Sequence, residues 1–356
     1  MENNIQKLSR KDIIFLKAYQ SARSIGGIGH TLLNANELPM SSLYNLTNIT
    51  LNRYPECQPK KLIFHYSAYV NLALENILVS RGSDEAIELL MRVFCLPNKD
   101  SIITFSPTYT MYAKIAEIYG IKNIIIPMIN NMILDIPKII KLLHGVKLIY
   151  ICRPNNPTGH IFNIDSIIQI LKITIGKAIV IIDEAYIEFC MSENTIFLLK
   201  SFSHLVILRT LSKAFGLAGL RCGFTLAHKD IIKLLRKVIT PYPLPIPSIN
   251  IAIQALLPSA IVSMQNKVLE IQKNKKFLLK NLKKNDLVKY IFHSETNYIL
   301  VKFYNAKNIF DILWNQGIIL RQQNHESNLR DCIRISVGTK TECLCLISAL
   351  KSISLN

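Results

Sequence analysis

The chain has 356 residues, half of them hydrophobic, which is enough to bury a large core and to form two domains. It carries 42 Lys and Arg residues against 24 Asp and Glu residues, for a formal net charge of +18. The basic residues are spread along the chain, as in the helix-like segment 272–276, and no nucleic-acid-binding module accompanies them. This distribution favours a solvated surface with some attraction for anionic substrates over nucleic-acid binding.

The cysteines, the N-terminus and one uncharged stretch bear on the compartment. The eight cysteines form no C-x-x-C pair, and their spacing with the histidines matches no zinc site. The first residues contain no apolar segment of the kind found in a secretory signal. The stretch 238–266 is long enough to span a bilayer, but its prolines at 241, 243, 245 and 247 impose an extended run. We therefore predict a cytoplasmic protein with reduced thiols, no metal and no membrane span, and a buried helix at about 249–257.

Between about residues 80 and 240, helical patterns alternate with short apolar runs. Helices are predicted at 84–96 and 108–119, and strands at 101–105, 122–127, 148–152, 178–182 and 205–208. Short continuous apolar runs are typical of strands buried on both faces, as in a parallel or mixed sheet covered by helices. The pattern predicts an α/β domain with helical crossovers.

The proline run at 241–247 is the predicted domain boundary. Beyond it, the pattern predicts a long basic helix at 264–283, strands at 298–303 and 332–337, and a closing helix at 343–353. These elements indicate a smaller α+β domain. The predicted division is an N-terminal arm at 1–45 that packs on the small domain and a partner subunit, a large domain at 46–240, and a small domain at 241–356.

Four polar side chains follow the apolar runs in a chemically suggestive order: Asn156, Asp183, Lys213 and Arg221. In open α/β sheets, ligands bind in the crevice beyond the carboxyl ends of the strands, so these side chains should project into one crevice. An amide, a carboxylate, an amine and a guanidinium in this order and spacing predict a pyridoxal-phosphate (PLP) site.

Each of these residue types has a chemical reason to be there. Lys213 would form an imine with a carbonyl cofactor, which requires a neutral amine, and burial near other cations lowers an amine pKa. Asp183 would pair with the protonated pyridine nitrogen and so keep the ring an electron sink. Tyr186 and Asn156 would hydrogen-bond the ring hydroxyl from its two sides.

The cofactor phosphate needs several donors. The candidates are Arg221, the hydroxyls of Thr210 and Ser212, and the backbone N–H groups around Ser83 and Asp84 at a predicted helix start. The Asp84 carboxylate is predicted to cap that helix. Tyr109, which follows a Ser-Pro-Thr turn, is a candidate to stack on the ring. Taken singly, each residue also has an ordinary structural interpretation, such as a surface lysine, a helix cap or a core tyrosine, and only the ordered combination indicates the chemistry.

With these motifs, the chain resembles the fold-type I PLP enzymes of the class I/II aminotransferase family. The resemblance runs nearly end to end and includes Asn34-Ala35-Asn36-Glu37, Asn52-Arg53-Tyr54-Pro55-Glu56, Arg81-Gly82-Ser83-Asp84, Asn156-Pro157-Thr158-Gly159, Asp183-Glu184-Ala185-Tyr186 and Arg221-Cys222-Gly223. The first two motifs are more characteristic of the histidinol-phosphate aminotransferase subgroup. The resemblance implies a large domain with a mostly parallel central sheet flanked by helices, a smaller α+β C-terminal domain, and transamination between glutamate and imidazole-acetol phosphate.

The resemblance also implies roles for residues outside the strand ends. Tyr54 would reach the cofactor phosphate of the neighbouring subunit, which implies a homodimer with shared active sites. Arg334 would bind the substrate anion bidentately, assisted by Arg321, Tyr19 and Asn156. The alternatives left open are a related PLP enzyme, such as an aromatic aminotransferase or a threonine-phosphate decarboxylase, and a non-enzymatic basic nucleic-acid-binding protein.

Overall fold

The apolar runs in the middle of the chain form a mixed seven-stranded sheet. The computed structural model describes residues 10–353 except 22–24, 27–28, 48, 130–131 and 325. The sheet has the order β2-β8-β7-β6-β5-β3-β4. Its strands are β2 (Ile77–Ser80), β3 (Ser101–Ser106), β4 (Lys122–Pro127), β5 (Val146–Cys152), β6 (Ile179–Asp183), β7 (Leu205–Thr210) and β8 (Gly223–Ala227). The central strands β3, β5, β6 and β7 are almost completely buried, as their continuous apolar character predicts.

All neighbouring strands are parallel except at β8, which runs antiparallel to both β2 and β7. The predicted mixed or mostly parallel sheet is therefore confirmed. The five predicted strands lie where expected, with ends that differ by at most two residues. The sequence prediction missed β2, a run of only four residues, and β8, which begins at a glycine.

Helices cover both faces of this sheet, in keeping with the predicted crossovers. They include α2 (Lys60–Val70), α3 (Gly82–Phe94), α4 (Met111–Ile118), α5 (Ile136–Leu142), α6 (Ile164–Thr174) and α7 (Lys229–Arg236), which follow a short α1 (Lys11–Ile14). α3 starts at Gly82 rather than at 84, because Glu85 accepts a hydrogen bond from the Arg81 amide and closes the first turn. α4 starts later than predicted, at Met111, because Thr108 is held outside the helix by a hydrogen bond to Asn155.

The C-terminal part forms a four-stranded antiparallel sheet with the order β12-β13-β10-β9. Its strands are β9 (Val288–Ile291), β10 (Tyr298–Phe303), β12 (Arg321–Gln322) and β13 (Cys332–Ser336), and its helices are α10 (Ala306–Asn315) and α11 (Lys340–Ser352). A two-stranded parallel pair joins β1 (Thr31–Leu32) to β11 (Ile318–Ile319). The described part of the N-terminal arm therefore contacts the C-terminal region.

Two helices connect the sheets. After the extended run that ends at Pro245, α8 (Ile246–Ala255) packs against α2, and α9 (Pro258–Leu282) packs against α11. Within the described residues, no single helix is long and apolar enough to cross a membrane; α8 and α9 reach that length together but are bent by 76°. The same residues contain no cluster of three or more His, Cys, Asp or Glu side chains suited to a metal ion.

One hydrophobic cluster is continuous from the large sheet to the small one. It contains Ile149 and Val180 from the large sheet together with Ile299 and Ile335 from the small sheet. A second cluster lies on the opposite face of the large sheet, beneath α3, α4 and α7. The division of the chain at the proline run stays a prediction, because α8 lies beyond the run but packs on α2.

Candidate active site

The predicted site residues meet at one edge of the large sheet. Asp183 ends β6, Thr210 ends β7 and Asn156 follows β5, and these three strands are adjacent and parallel. Because β8 runs the other way, its start brings Arg221 to the same edge. A cavity of about 220 Å³ opens there. It is lined by thirteen of the fourteen predicted residues: Tyr19, Ser83, Asp84, Tyr109, Asn156, Asp183, Tyr186, Thr210, Ser212, Lys213, Arg221, Arg321 and Arg334.

Lys213 presents its amine to this cavity from the turn after β7. Its Nζ donates a hydrogen bond to the backbone carbonyl of Ala35 at 3.1 Å and lies 5.5 Å from the centre of the Tyr186 ring. Burial, followed by the nearby positive charge of Arg334, lowers the Lys213 pKa to about 8. A substantial fraction of this amine is therefore neutral near pH 8, as a nucleophile or general base requires.

Asp183 lines the cavity and is only 2% exposed. Burial raises its pKa to about 6, while hydrogen bonds from the Tyr112 hydroxyl (2.7 Å) and the Ala185 amide (3.1 Å) oppose that rise. A buried carboxylate that forms no ion pair within the described residues is suited to a cationic ligand atom.

Tyr112 is a site residue that the sequence did not reveal. It is fully buried in α4, stacks on Tyr150 at 4.8 Å and contacts the edge of Tyr109 at 5.5 Å. Nothing distinguishes it in the sequence from an ordinary core tyrosine of an amphipathic helix. Its hydroxyl nevertheless fixes one oxygen of Asp183.

Tyr186 and Asn156 are both buried and both already hydrogen-bonded to other residues. The Tyr186 hydroxyl accepts a hydrogen bond from the Asn36 amide at 3.1 Å. Asn156 Oδ1 accepts one from Arg334 at 2.7 Å. The predicted contact of both residues with a ring hydroxyl stays a prediction, whereas the contribution of Asn36 was not predicted although its motif was recognised.

The phosphate-binding candidates cluster around the start of α3. The Thr210 and Ser212 hydroxyl oxygens are 2.9 Å apart, and the Arg221 guanidinium lies so close to Gly82 that a Cβ there would be 2.8 Å from Nη2. The predicted helix cap by Asp84 is wrong. Its carboxylate accepts a hydrogen bond from the Tyr109 hydroxyl at 3.0 Å and lies 3.4 Å from Arg221, because these partners attract it while Glu85 caps the helix start.

Gly223 permits the close approach of β8 to the first amides of α3. A Cβ at Gly223 would lie 2.5 Å from the carbonyl carbon of Gly82 and 2.7 Å from the Ser83 nitrogen, so backbone must move to admit it. We expect Gly223→Ala to weaken PLP binding at least about tenfold, since displaced amides no longer fit a phosphate. Gly219→Ala is the matched control, because a Cβ there meets nothing within 4 Å. Equal PLP dissociation constants for the two variants, measured by spectral titration, would refute the proposed phosphate position.

Two arginines predicted to bind substrate line the cavity together. Arg321 and Arg334 lie opposite each other on β12 and β13. Arg321 Nη1 and Arg334 Nε are buried and have no hydrogen-bond partner among the described residues, and neither arginine forms an ion pair there. Burial, followed by the charge of Arg334, lowers the Arg321 pKa. Two guanidinium groups without a carboxylate partner suit an anionic ligand.

Tyr54 is the predicted residue that lies outside the cavity. It is 80% exposed, and its ring stacks on Tyr242 with centroids 4.4 Å apart. The predicted contact of Tyr54 with the cofactor of a neighbouring subunit stays a prediction.

The sheet order, the strand-end lysine and carboxylate, and the arginine-lined cavity define the architecture of a PLP-dependent transferase. The chain belongs to the aminotransferase class I and II family, whose sequence profile matches residues 32–350. It is 52% identical over 353 residues to the histidinol-phosphate aminotransferase of Buchnera aphidicola subsp. Schizaphis graminum, with 99% of each chain covered. It is 50% identical over 348 residues to the protein of the same name from Escherichia coli O6:K15:H31, with 98% of each chain covered.

The fold agrees with solved structures as well. The histidinol-phosphate aminotransferase of Sinorhizobium meliloti, solved in complex with pyridoxal-5'-phosphate, superposes with a TM-score of 0.87 at 19% identity, covering 97% of this chain and 98% of that one. The predicted family, fold class, aminotransferase activity and PLP cofactor are thereby confirmed.

Proposed function

We propose that the chain transfers an amino group between L-histidinol phosphate and 2-oxoglutarate, giving imidazole-acetol phosphate and glutamate, and reversibly so, in L-histidine biosynthesis. The observation that carries the proposal is a single cavity that joins an amine of lowered pKa to two arginines with unpaired buried nitrogens. The two relatives named above support the choice of substrate.

The residues present fit PLP. Lys213 would hold the cofactor covalently, Asp183 would face its pyridine nitrogen, and Tyr186 and Asn156 would face its ring oxygen. The phosphate would lie among the donors at the start of α3, where Gly223 leaves no room for a side chain. The buried, unpaired carboxylate and the closely approaching amides are what such a ligand requires. When bound, PLP supplies an electrophilic carbon and an electron-withdrawing ring that stabilises negative charge at the substrate Cα.

Lys213 also moves the proton. As a neutral amine, its Nζ would take the proton from the substrate Cα and deliver it to the far side of the amino nitrogen, a 1,3-proton shift that removes the amino group from the donor; the same shift in reverse would pass the amino group to the acceptor. The pKa of about 8 keeps this nitrogen near the balance between its two protonation states at neutral to slightly alkaline pH. Its hydrogen bond to the Ala35 carbonyl fixes the amine in the cavity.

The arginine pair accounts for two substrates in one site. Glutamate carries a carboxylate away from its amine, and histidinol phosphate carries a phosphate ester away from its amine. Arg321 and Arg334 would bind either anion bidentately, with the exposed Tyr19 hydroxyl beside them. Orientation by these contacts lowers the entropic cost of bringing the amine to the reacting carbon.

A visible spectrum tests this function against its rivals. We expect the purified, PLP-loaded protein to have a visible band that both glutamate and histidinol phosphate bleach, because each donates its amino group. L-Threonine phosphate serves as the comparison substrate. Carbon dioxide release from L-threonine phosphate at rates above transamination would identify a decarboxylase. Bleaching of the band by aromatic amino acids but not by histidinol phosphate would identify an aromatic aminotransferase. A protein that binds no PLP and shifts nucleic acid in a salt-dependent gel assay would overturn the enzyme proposal altogether.

We further propose a cytoplasmic homodimer in which Tyr54 completes the partner's site. The exposed aromatic pair Tyr54 and Tyr242, together with the exposed side chains of Leu43 and Leu51, supports a contact with a second copy. The eight free cysteines support a reducing compartment.

A further inference from the structure

Asn36 is a buried residue whose polar groups are all used. It is 1% exposed, and its side-chain amide donates to the Tyr186 hydroxyl oxygen at 3.1 Å. Its Oδ1 accepts from the Ser336 hydroxyl at 3.1 Å, and its backbone N–H donates to the same Ser336 oxygen at 2.8 Å. Its carbonyl accepts from Asn297 at 3.0 Å. Each of the four polar atoms of Asn36 therefore has a hydrogen-bond partner, and the amide is oriented with its nitrogen towards Tyr186 and its oxygen towards Ser336.

The hydrogen bond from Asn36 decides which way the Tyr186 hydroxyl points. A tyrosine hydroxyl has one hydrogen to donate, and an N–H that donates to its oxygen leaves this hydrogen to point elsewhere. Among the described residues, the Tyr186 hydroxyl has no hydrogen-bond acceptor of its own. The free direction therefore faces the cavity that Tyr186 lines.

The backbone at Asn36 is as specific as the side chain. Its φ of 53° lies in the left-handed region, which Asn, Asp and Gly tolerate better than other residues. The preceding carbonyl, that of Ala35, accepts the Lys213 hydrogen bond. The segment Ala35-Asn36 thus contacts both the Lys213 amine and the Tyr186 hydroxyl. Substitution of Asn36 by Gly or Asp is expected to preserve its backbone conformation.

We propose that Asn36 is a positioning residue that donates to the Tyr186 oxygen and thereby commits Tyr186 to donate its own proton to the ring oxygen of the bound cofactor. The proposal rests on the proposed PLP site. A hydrogen-bond donor at the ring oxygen stabilises negative charge on that oxygen and therefore lowers the pKa of the bound cofactor. Loss of the donor raises the pH at which the visible absorption changes.

The decisive test is a double-mutant cycle between Asn36→Gly and Tyr186→Phe, read by pH titration of the visible absorption of the bound cofactor and by the PLP dissociation constant. We expect Asn36→Gly to raise the titration midpoint by about 0.5–1 pH unit and to weaken PLP binding by about fivefold. In the Tyr186→Phe background it should change neither, because the hydroxyl it orients is gone. An equal shift in both backgrounds would mean a structural role and would overturn the proposal.

Two further variants serve as a control and as a substitute for Asn36→Gly. Asn71→Gly is the matched control, since Asn71 has a φ of 51° at the end of α2 and does not line the cavity, and this variant should titrate like the parent. If Asn36→Gly fails to fold, Asn36→Asp keeps the shape and accepts the Tyr186 proton instead. The titration midpoint of Asn36→Asp should then lie more than about 1 pH unit above that of the parent. In the Tyr186→Phe background, the same substitution should raise the midpoint by less. An unchanged midpoint overturns the proposal, whereas a parent protein without a visible PLP band overturns the proposed function itself.

Discussion

Lys213→Ala should lower the rate of transamination by at least about 10⁴-fold and leave the protein folded. Lys213 is the only lysine that lines the described cavity, so no neighbouring amine can replace it. The protein should not lose stability at pH 7, because a folded protein that lowers an amine pKa to about 8 disfavours the charged form that the unfolded chain prefers. Initial rates with glutamate and thermal unfolding midpoints check the two expectations.

Lys273→Ala, an exposed position on α9, is the matched control and should behave like the parent. Near-normal turnover by Lys213→Ala would remove the basis of the mechanism. Loss of folding would instead show that the hydrogen bond from Lys213 to Ala35 holds the N-terminal segment in place.

Asp183→Asn should affect activity and stability in opposite directions. We expect turnover to fall by about 10³-fold, since a neutral amide cannot keep the ring nitrogen charged. The cofactor-free variant should be more stable than the parent at pH 8 by about 1–3 kcal/mol. Initial rates measure the effect on activity, and urea unfolding of the cofactor-free proteins at pH 4 and pH 8 measures the effect on stability.

The sign of the stability effect follows from the direction of the pKa shift. The Asp183 pKa is raised from 3.8 to about 6 in the folded protein, so the folded state holds the proton more tightly than the unfolded chain. The contribution of this carboxyl group is present in full below pH 3.8 and is lost as the pH rises through 6. The side chain introduced by Asp183→Asn does not titrate, so its contribution to stability is not lost as the pH rises. The free energies of unfolding of the two proteins should therefore differ little at pH 4 and most at pH 8. Asp311→Asn, on the surface of α10, is the control, and destabilisation of Asp183→Asn at pH 8 would contradict the expectation.

The strand-end residues were predictable because of a general property of parallel sheets. Asn156, Asp183 and Lys213 each follow an apolar run, and adjacent parallel strands end at the same edge, so sequence proximity to a strand end was enough to bring them together. Arg221 reached the same edge for a reason that the sequence did not show, namely the antiparallel direction of β8.

Other features depend on packing that no local pattern encodes. Tyr112 occupies an ordinary helical position, and only the packing of α4 against β3, β4 and α3 brings its hydroxyl to Asp183. Asp84 lies in the first turn of a helix, which predicts that its carboxylate caps the helix, yet Tyr109 and Arg221 approach from other elements and hold the carboxylate. Arg321 and Arg334 were expected from resemblance alone, whereas the register of β12 against β13 is what makes them neighbours.

The hydrogen bond between Arg334 and Asn156 joins positions that are 178 residues apart in the chain. A ribosome therefore releases the lysine, the carboxylate and the amide long before it supplies the guanidinium that fixes the amide. A nascent chain that stops before β13 has the residues proposed to hold the cofactor but lacks one of the two arginines proposed to bind the anion of the amino donor. During synthesis, the complete set of residues proposed to bind the substrate is therefore present only after the complete set proposed to hold the cofactor.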